Sequence, residues 1–123
     1  MDWIQEIIDR AKAQPQHIVF PEGTEERTLK AADRLLRDSV VKLTLIGDPY
    51  AIRSRAHDLG LKHVLNANLL DPKNHEKKQA YIDLLLELRG SKGVTPEKAA
   101  LLVEDPLYLA CLMIKAGDAD GEL

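Results

Sequence analysis

Arg89 is the residue best placed to do chemistry. It ends a run whose apolar positions, Tyr81, Leu84, Leu85 and Leu88, recur at helical spacing, and Gly90, Lys92 and Gly93 follow it. A guanidinium at the rim of a buried helix face, beside a loop with two glycines and a lysine, suits bidentate contact with phosphate. The position equally suits a structural role, because a cation in a last turn complements the helix dipole. Net charge dictates how an anion site must be built. The chain carries 17 Lys and Arg against 20 Asp and Glu, net −3, so an anion needs a local cluster of basic groups and nucleic acid is not an expected partner.

A second place for an anion is the turn Pro21-Glu22-Gly23-Thr24, ahead of a helical pattern. Helix N-termini attract anions through their unpaired N–H groups. Here Glu25 and Glu26 already supply the complementary charge, which favours an ordinary capped helix, with Thr24 as the cap. Neither a dinucleotide fingerprint nor a P-loop occurs, since Gly23 has no glycine nearby and no Gly-Lys-Ser/Thr is present. The four histidines, His17, His57, His63 and His75, do not fall at metal-ligand spacing, so no metal site is expected. Cys111 is the single cysteine, which excludes an internal disulfide framework and fits a reducing compartment. Its neighbours Leu107, Tyr108, Ala110, Leu112 and Ile114 are apolar, and Lys115 is the one nearby base. A small buried hydrophobe is expected there, not a nucleophile. Asp83 and Glu87, near Lys77 and Lys78, read as a solvated helix surface. No serine–histidine–acid set or acid–base pair emerges, and no catalytic residue is assigned.

The elements that must position these groups follow from periodicity. Length (123 residues), hydrophobic content (45%) and charged content (30%) are those of one soluble domain. No apolar run approaches a membrane span, and the N-terminus lacks a signal peptide's pattern, so cytoplasm is the expected setting. Residues 2–13 place Trp3, Ile4, Ile7, Ile8 and Ala11 on one helix face. His17 to Phe20 reads as a short strand buried on both faces, followed by a helix to about Asp38 lined by Leu29, Ala32, Leu35 and Leu36. Val41 to Gly47 is the next strand, Pro49 to Leu59 a helix, and His63-Val64-Leu65 a third strand. Alternation of this kind implies a three-layer α/β/α fold with a mostly parallel sheet. Asp48-Pro49, Asp71-Pro72, Thr95-Pro96 and Asp105-Pro106 each pair a capping side chain with a proline suited to a first turn. Gly60, Gly90 and Gly117 stand where left-handed helix ends belong. The second half, Asp71 to Gly117, is almost wholly helical in pattern. The last residues, after Gly117, read as entry into a further strand, and a chain ending there is expected to be truncated.

Three segments carry a resemblance. They are IVFPEGTEERTLKAA from Ile18 to Ala32, KLTLIGDPYAI from Lys42 to Ile52, and ELRGSKGVTPEKAALLVEDPLYLACLMIKAGDADGEL from Glu87 to the end. With the Leu-Arg-x-x-Lys-Gly-Val-Thr and Gly-x-Ala-Asp-Gly landmarks in order, the chain resembles the N-terminal part of the phosphate acetyl/butyryltransferases, the phosphotransacetylase family. The resemblance implies that residues 1–123 are the front portion of the first of two α/β domains flanking a cleft. It implies transfer of an acetyl group between coenzyme A and inorganic phosphate, with acetyl phosphate as the other substrate. Coenzyme A is a substrate, no cofactor is implied, and the full-length protein is expected to be a cytoplasmic homodimer. The family's catalytic residues lie later in the chain, so the fragment alone is expected to be inactive. Arg89 matches the arginine implicated in coenzyme A binding, and Arg27, in Glu-Glu-Arg-Thr, matches a second recurring arginine. Two alternatives stay open. One is a butyryl or other acyl preference, and the other is a non-catalytic acyl-CoA- or acetyl phosphate-binding module like the C-terminal domain of malic enzymes.

Overall fold

Ile18, Val19 and Phe20 are 4%, 0% and 2% exposed, so strand β1 (His17–Phe20) has apolar neighbours on both faces. The computed structural model describes residues 4–6, 9, 16–38 and 41–122. Helix α1 (Glu26–Asp38) follows β1, then β2 (Lys42–Ile46), α2 (Pro49–Asp58), a 3-10 turn (His63–Asn66) and β3 (Asn68–Leu70). The remainder is α3 (Lys78–Arg89), a 3-10 turn (Gly90–Lys92), α4 (Pro96–Leu102), α5 (Pro106–Lys115) and β4 (Gly121–Glu122). The sheet order is β3-β2-β1-β4, and every pairing is parallel. Residues 4–6 and 9 are helical, and Ile4 packs on the core. The other apolar positions expected on that first helix, Trp3, Ile7, Ile8 and Ala11, lie outside the described residues.

Strand alternation splits the core in two. Ile18, Phe20, Leu43 and Leu45 meet Leu29, Ala32 and Leu35 of α1 with Ile52 and Ala56 of α2. Val19 and Ile46 face the other way, onto Tyr81, Ile82 and Leu85 of α3, Ala99 of α4, and Leu109, Ala110, Leu112 and Met113 of α5. Helices therefore cover both faces, the three-layer α/β/α arrangement that uninterrupted apolar strands require. Polar clamps hold the edge strand. The His17 N–H donates to Asp120 Oδ2 at 2.8 Å, and the Asp120 N–H donates to the His17 carbonyl at 2.7 Å. The expected entry into a further strand is thus β4, paired with Ile18 and Val19.

Four expectations need correction. The third strand is not His63-Val64-Leu65, which forms a 3-10 turn instead. Val64 plugs the core beneath α1 and its N–H donates to Asp33 Oδ1 at 2.9 Å, so pairing with β2 falls to Asn68–Leu70. Asp71-Pro72 opens no helix, because Asp71 Oδ1 accepts the Lys73 N–H in a local turn and α3 begins only at Lys78. By contrast Asp48, Thr95 and Asp105 cap α2, α4 and α5 as expected. The cap of α1 is Glu25, not Thr24. Its carboxylate accepts the Thr28 N–H at 2.9 Å, and that bond is the main cause holding the Glu25 carboxyl below its ordinary value. Gly90 keeps a right-handed conformation, and the left-handed residue is Gly93, at φ 92°, after the 3-10 turn. Gly60 and Gly117 are left-handed as expected.

Gly23 is demanded by close approach. Its N–H donates to the Ile46 carbonyl at 3.0 Å, and a Cβ would lie 2.7 Å from that oxygen and 2.8 Å from Ile52 Cδ1. Gly23→Ala is therefore expected to lower stability by about 1–3 kcal/mol. Gly90→Ala, with open space around it, should change stability little or raise it by up to about 1 kcal/mol. Urea unfolding compares the two, and equal midpoints would contradict the packing of the Pro21–Thr24 turn on β2.

Candidate functional site

The C-terminal turn of α3 and the outer side of α5 border an open groove of about 500 Å³. Its walls are Leu85, Leu88, Arg89, Lys92, Tyr108, Cys111, Leu112 and Lys115. Leu85 and Leu112 anchor this floor in the second core. Above them the apolar stripe of α3 runs outward, and Leu88 is exposed at the groove. Arg89 ends α3, Lys92 sits in the following 3-10 turn, and Lys115 ends α5. Two helix C-termini thus contribute a cation each, which complements their dipoles. The helix dipole role and the ligand role of Arg89 are compatible, since its side chain lines the groove in either case.

The groove's charge is one-sided. Among the described residues three cations line it and no carboxylate does, on a chain whose net charge is −3. Among the described residues the ion pairs involve Lys30, Arg34, Arg37, Arg55, Lys77 and Lys78, and none of the groove cations. A cleft lined by one sign of charge with apolar walls raises the local concentration of the opposite ion. Phosphate is the group that an arginine and two lysines there would hold best.

Cys111 corrects an expectation, because it is exposed, not buried. Helix α5 is apolar all round. Its inner side is taken by Leu109, Ala110, Leu112 and Met113, which leaves Cys111 outward with the exposed Leu107 and Ile114. Arg27 stands elsewhere. It is exposed in the first turn of α1, whose buried side packs on the opposite sheet face from α3 and α5. Within these residues Arg27 and Arg89 do not share a site. The Pro21–Thr24 turn is no anion cradle either, because the Glu25 carboxylate occupies the N-terminus of α1.

Sequence reasoning missed a polar cluster on the same sheet face as the groove helices. Thr44 is fully buried, with its Oγ1 2.7 Å from His17 Nε2 and accepting from Asn68 Nδ2 at 3.2 Å. Close by, Asp118 accepts from the Tyr81 hydroxyl at 2.6 Å and from Lys77 Nζ at 2.9 Å. His17, Asn68, His75, Tyr81 and Asp118 border one cavity of about 530 Å³. His75 packs against the Tyr81 ring with centroids 5.8 Å apart, and desolvation holds its imidazole below the ordinary value. No local motif announces this cluster, because its members come from β1, β2, β3, the segment leading into α3, α3 itself and the Gly117–Gly121 landmark.

Fold and groove together define a parallel α/β domain with a positively charged cleft between helices of one layer. Residues 2–123 match the family profile described as Phosphate acetyl/butaryl transferase, and the chain belongs to that family. It is 43% identical over 121 residues to a phosphate acetyltransferase of Thermoanaerobacterium thermosaccharolyticum, covering 98% of this chain and 36% of that protein. A phosphate acetyltransferase of Acetivibrio thermocellus is 41% identical with the same coverage. The EutD phosphotransacetylase from Staphylococcus aureus superposes with a TM-score of 0.86 at 31% identity, over 97% of this chain and 36% of that one. The chain therefore spans about a third of the length of these relatives.

The Asp118 site makes a testable demand. The Tyr81 hydroxyl first, and then Lys77, hold the Asp118 carboxyl below its ordinary value, while burial keeps the Tyr81 hydroxyl protonated. A depressed carboxyl contributes stability above its unfolded value and loses it as pH falls through the folded one. Tyr81→Phe is expected to cost about 1–2 kcal/mol near pH 7. That cost should shrink in the acid range below about pH 4, as Asp118 takes up its proton. Urea unfolding at both pH values reads it, and an undiminished cost in acid would contradict the assignment.

Proposed function

We propose that the groove at Arg89 receives the phosphate-bearing part of coenzyme A. On this reading the chain is the front portion of an acyltransferase that interconverts acetyl-CoA plus phosphate with acetyl phosphate plus coenzyme A. The carrying observation is the groove's charge: among the described residues Arg89, Lys92 and Lys115 line it without a carboxylate, although acids outnumber bases in the chain. Coenzyme A suits that lining because it offers several phosphates to the cations and an apolar-tolerant arm to Leu85, Leu88 and Tyr108. The relatives' names, phosphate acetyltransferase, favour acetyl over butyryl. Coenzyme A acts here as substrate, with no resident cofactor. A cytoplasmic homodimer is the expected form of the intact protein. Among the described residues no helix is long and apolar enough to cross a membrane.

Calorimetric titration of the chain with coenzyme A tests the groove. Arg89→Ala should weaken binding at least about tenfold, the loss expected for charge-assisted hydrogen bonds of ~1.5–3 kcal/mol. Pantetheine, which has the arm without the phosphates, should bind far more weakly than coenzyme A. Arg27→Ala should leave the affinity unchanged. Unaltered coenzyme A affinity in Arg89→Ala would overturn the assignment. The chain alone is also expected to show no exchange between acetyl phosphate and coenzyme A. Robust turnover by these 123 residues would overturn its reading as the front portion of the enzyme.

A further inference from the structure

We infer that His75 is a proton-operated latch on the segment between β3 and α3: neutral, its imidazole stays packed on Tyr81, and protonated, it swings into the neighbouring cavity toward Asp118. Both ring nitrogens of His75 are buried, and neither has a hydrogen-bond partner. Among the described residues no other buried side-chain nitrogen or oxygen is left in that state. A neutral imidazole there leaves one donor and one acceptor unmade, while packing on the Tyr81 ring, centroids 5.8 Å apart, keeps it in place. An imidazolium would leave two N–H donors and a charge unanswered, a far larger cost. Desolvation first, and then the Lys78 ammonium, accordingly hold the imidazole below its ordinary value, with Asp71 opposing them.

Room and an acceptor for the charged ring lie beside it. His75 and Asp118 border the same cavity of about 530 Å³. Tyr81 joins them, since its ring packs on His75 and its hydroxyl donates to Asp118 at 2.6 Å. Asp118 also accepts from Lys77 at 2.9 Å, and its two carboxylate oxygens keep lone pairs for a third donor. The Asp118 carboxyl is held below its ordinary value, so it is still ionised between about pH 4 and 6.5, where an imidazole gains its proton. The remaining charges are answered or open to solvent: Lys78 pairs with Glu104 at 2.7 Å, and Glu76 is exposed at the cavity. His17, across β1, is engaged with Thr44 through Nε2. By linkage, a packed state that disfavours the proton loses ground to one that accepts it as pH falls below the ordinary imidazole value. The packed form therefore prevails at neutral pH and the swung form in mild acid.

Nuclear magnetic resonance of the isotopically labelled chain between about pH 8 and 4.5 reads the latch, with each histidine ring assigned through its own backbone amide. The His75 ring should titrate below the ordinary imidazole range, and the amides of residues 71–77 and of Tyr81 should shift with the same midpoint. His75→Phe keeps an aromatic ring without a titrating proton, and those amide shifts should vanish in it. Asp118→Asn keeps an acceptor for the Tyr81 hydroxyl but removes the charge. It should lower the His75 midpoint by about one pH unit, the effect of losing an opposite charge beside the imidazolium. A His75 ring that titrates at its ordinary value, or segment amides that stay silent or follow the His17 ring, would overturn the inference. So would an unchanged midpoint in Asp118→Asn, because the swung ring would then have no partner there. Should His75→Phe fail to fold, the parent and Asp118→Asn titrations decide the matter by themselves.

Discussion

The structure depends on a strand that has no solvent face. Ile18 and Phe20 bury against α1 and α2, and Val19 buries against the α3–α5 layer. Burial of an aliphatic or aromatic side chain of this size is worth about 1.5–3 kcal/mol, and neither face can be left open. Covering the Val19 side is what gathers α3 and α5 onto one layer, although Arg89 and Lys115 are remote in sequence. The groove is therefore a consequence of sheet burial. Its floor residues, Leu85 and Leu112, belong to the same cluster as Val19 and Ile46. The rim is where the inward packing ends and the charged last turns begin.

Charge placement distinguishes the two ends of the helices. At the N-terminus of α1 the Glu25 carboxylate caps its own helix, so the positive end of that dipole is already answered. At the C-termini of α3 and α5 the cations Arg89 and Lys115 answer the negative ends and still line an open groove. Ligands of open parallel sheets commonly gather at the carboxyl ends of the strands. In this domain the turn leaving β1 there is closed down by the Gly23 contact with the Ile46 carbonyl and Ile52. The available positive surface lies instead on the helical layer.

What the sequence discloses divides along physical lines. Features set by local pattern are legible: the apolar strands β1 and β2, the Asp-Pro and Thr-Pro caps of α2, α4 and α5, and Arg89 at the end of an apolar stripe. Features set by tertiary competition are not. His63-Val64-Leu65 has strand-like residues, yet Val64 serves α1 and its N–H bonds Asp33. Asp71-Pro72 has a cap's wording, yet Asp71 closes a turn on Lys73. Cys111 sits in an apolar run that gives no sign of which side faces inward, and the packing of α5 turns it out. Lys115 joins Arg89, and Asp118 joins Tyr81, only through the packing of separate elements. The family landmarks are legible as wording, and the structure supplies their mechanics: in Gly117–Gly121, Asp120 ties β4 to His17 and Asp118 receives Tyr81 and Lys77.

On the proposed reading, the anionic ligand meets this chain in the groove between α3 and α5. Nuclear magnetic resonance titration of isotopically labelled chain with coenzyme A tests it most directly, because each backbone amide reports its own surroundings. Saturable shifts are expected only at the amides around Arg89–Lys92, Tyr108–Cys111 and Lys115, with the amides of α1 near Arg27 unmoved. Shifts centred on the first turn of α1, or on the His17–Asp118 cavity, with the groove silent, would contradict it.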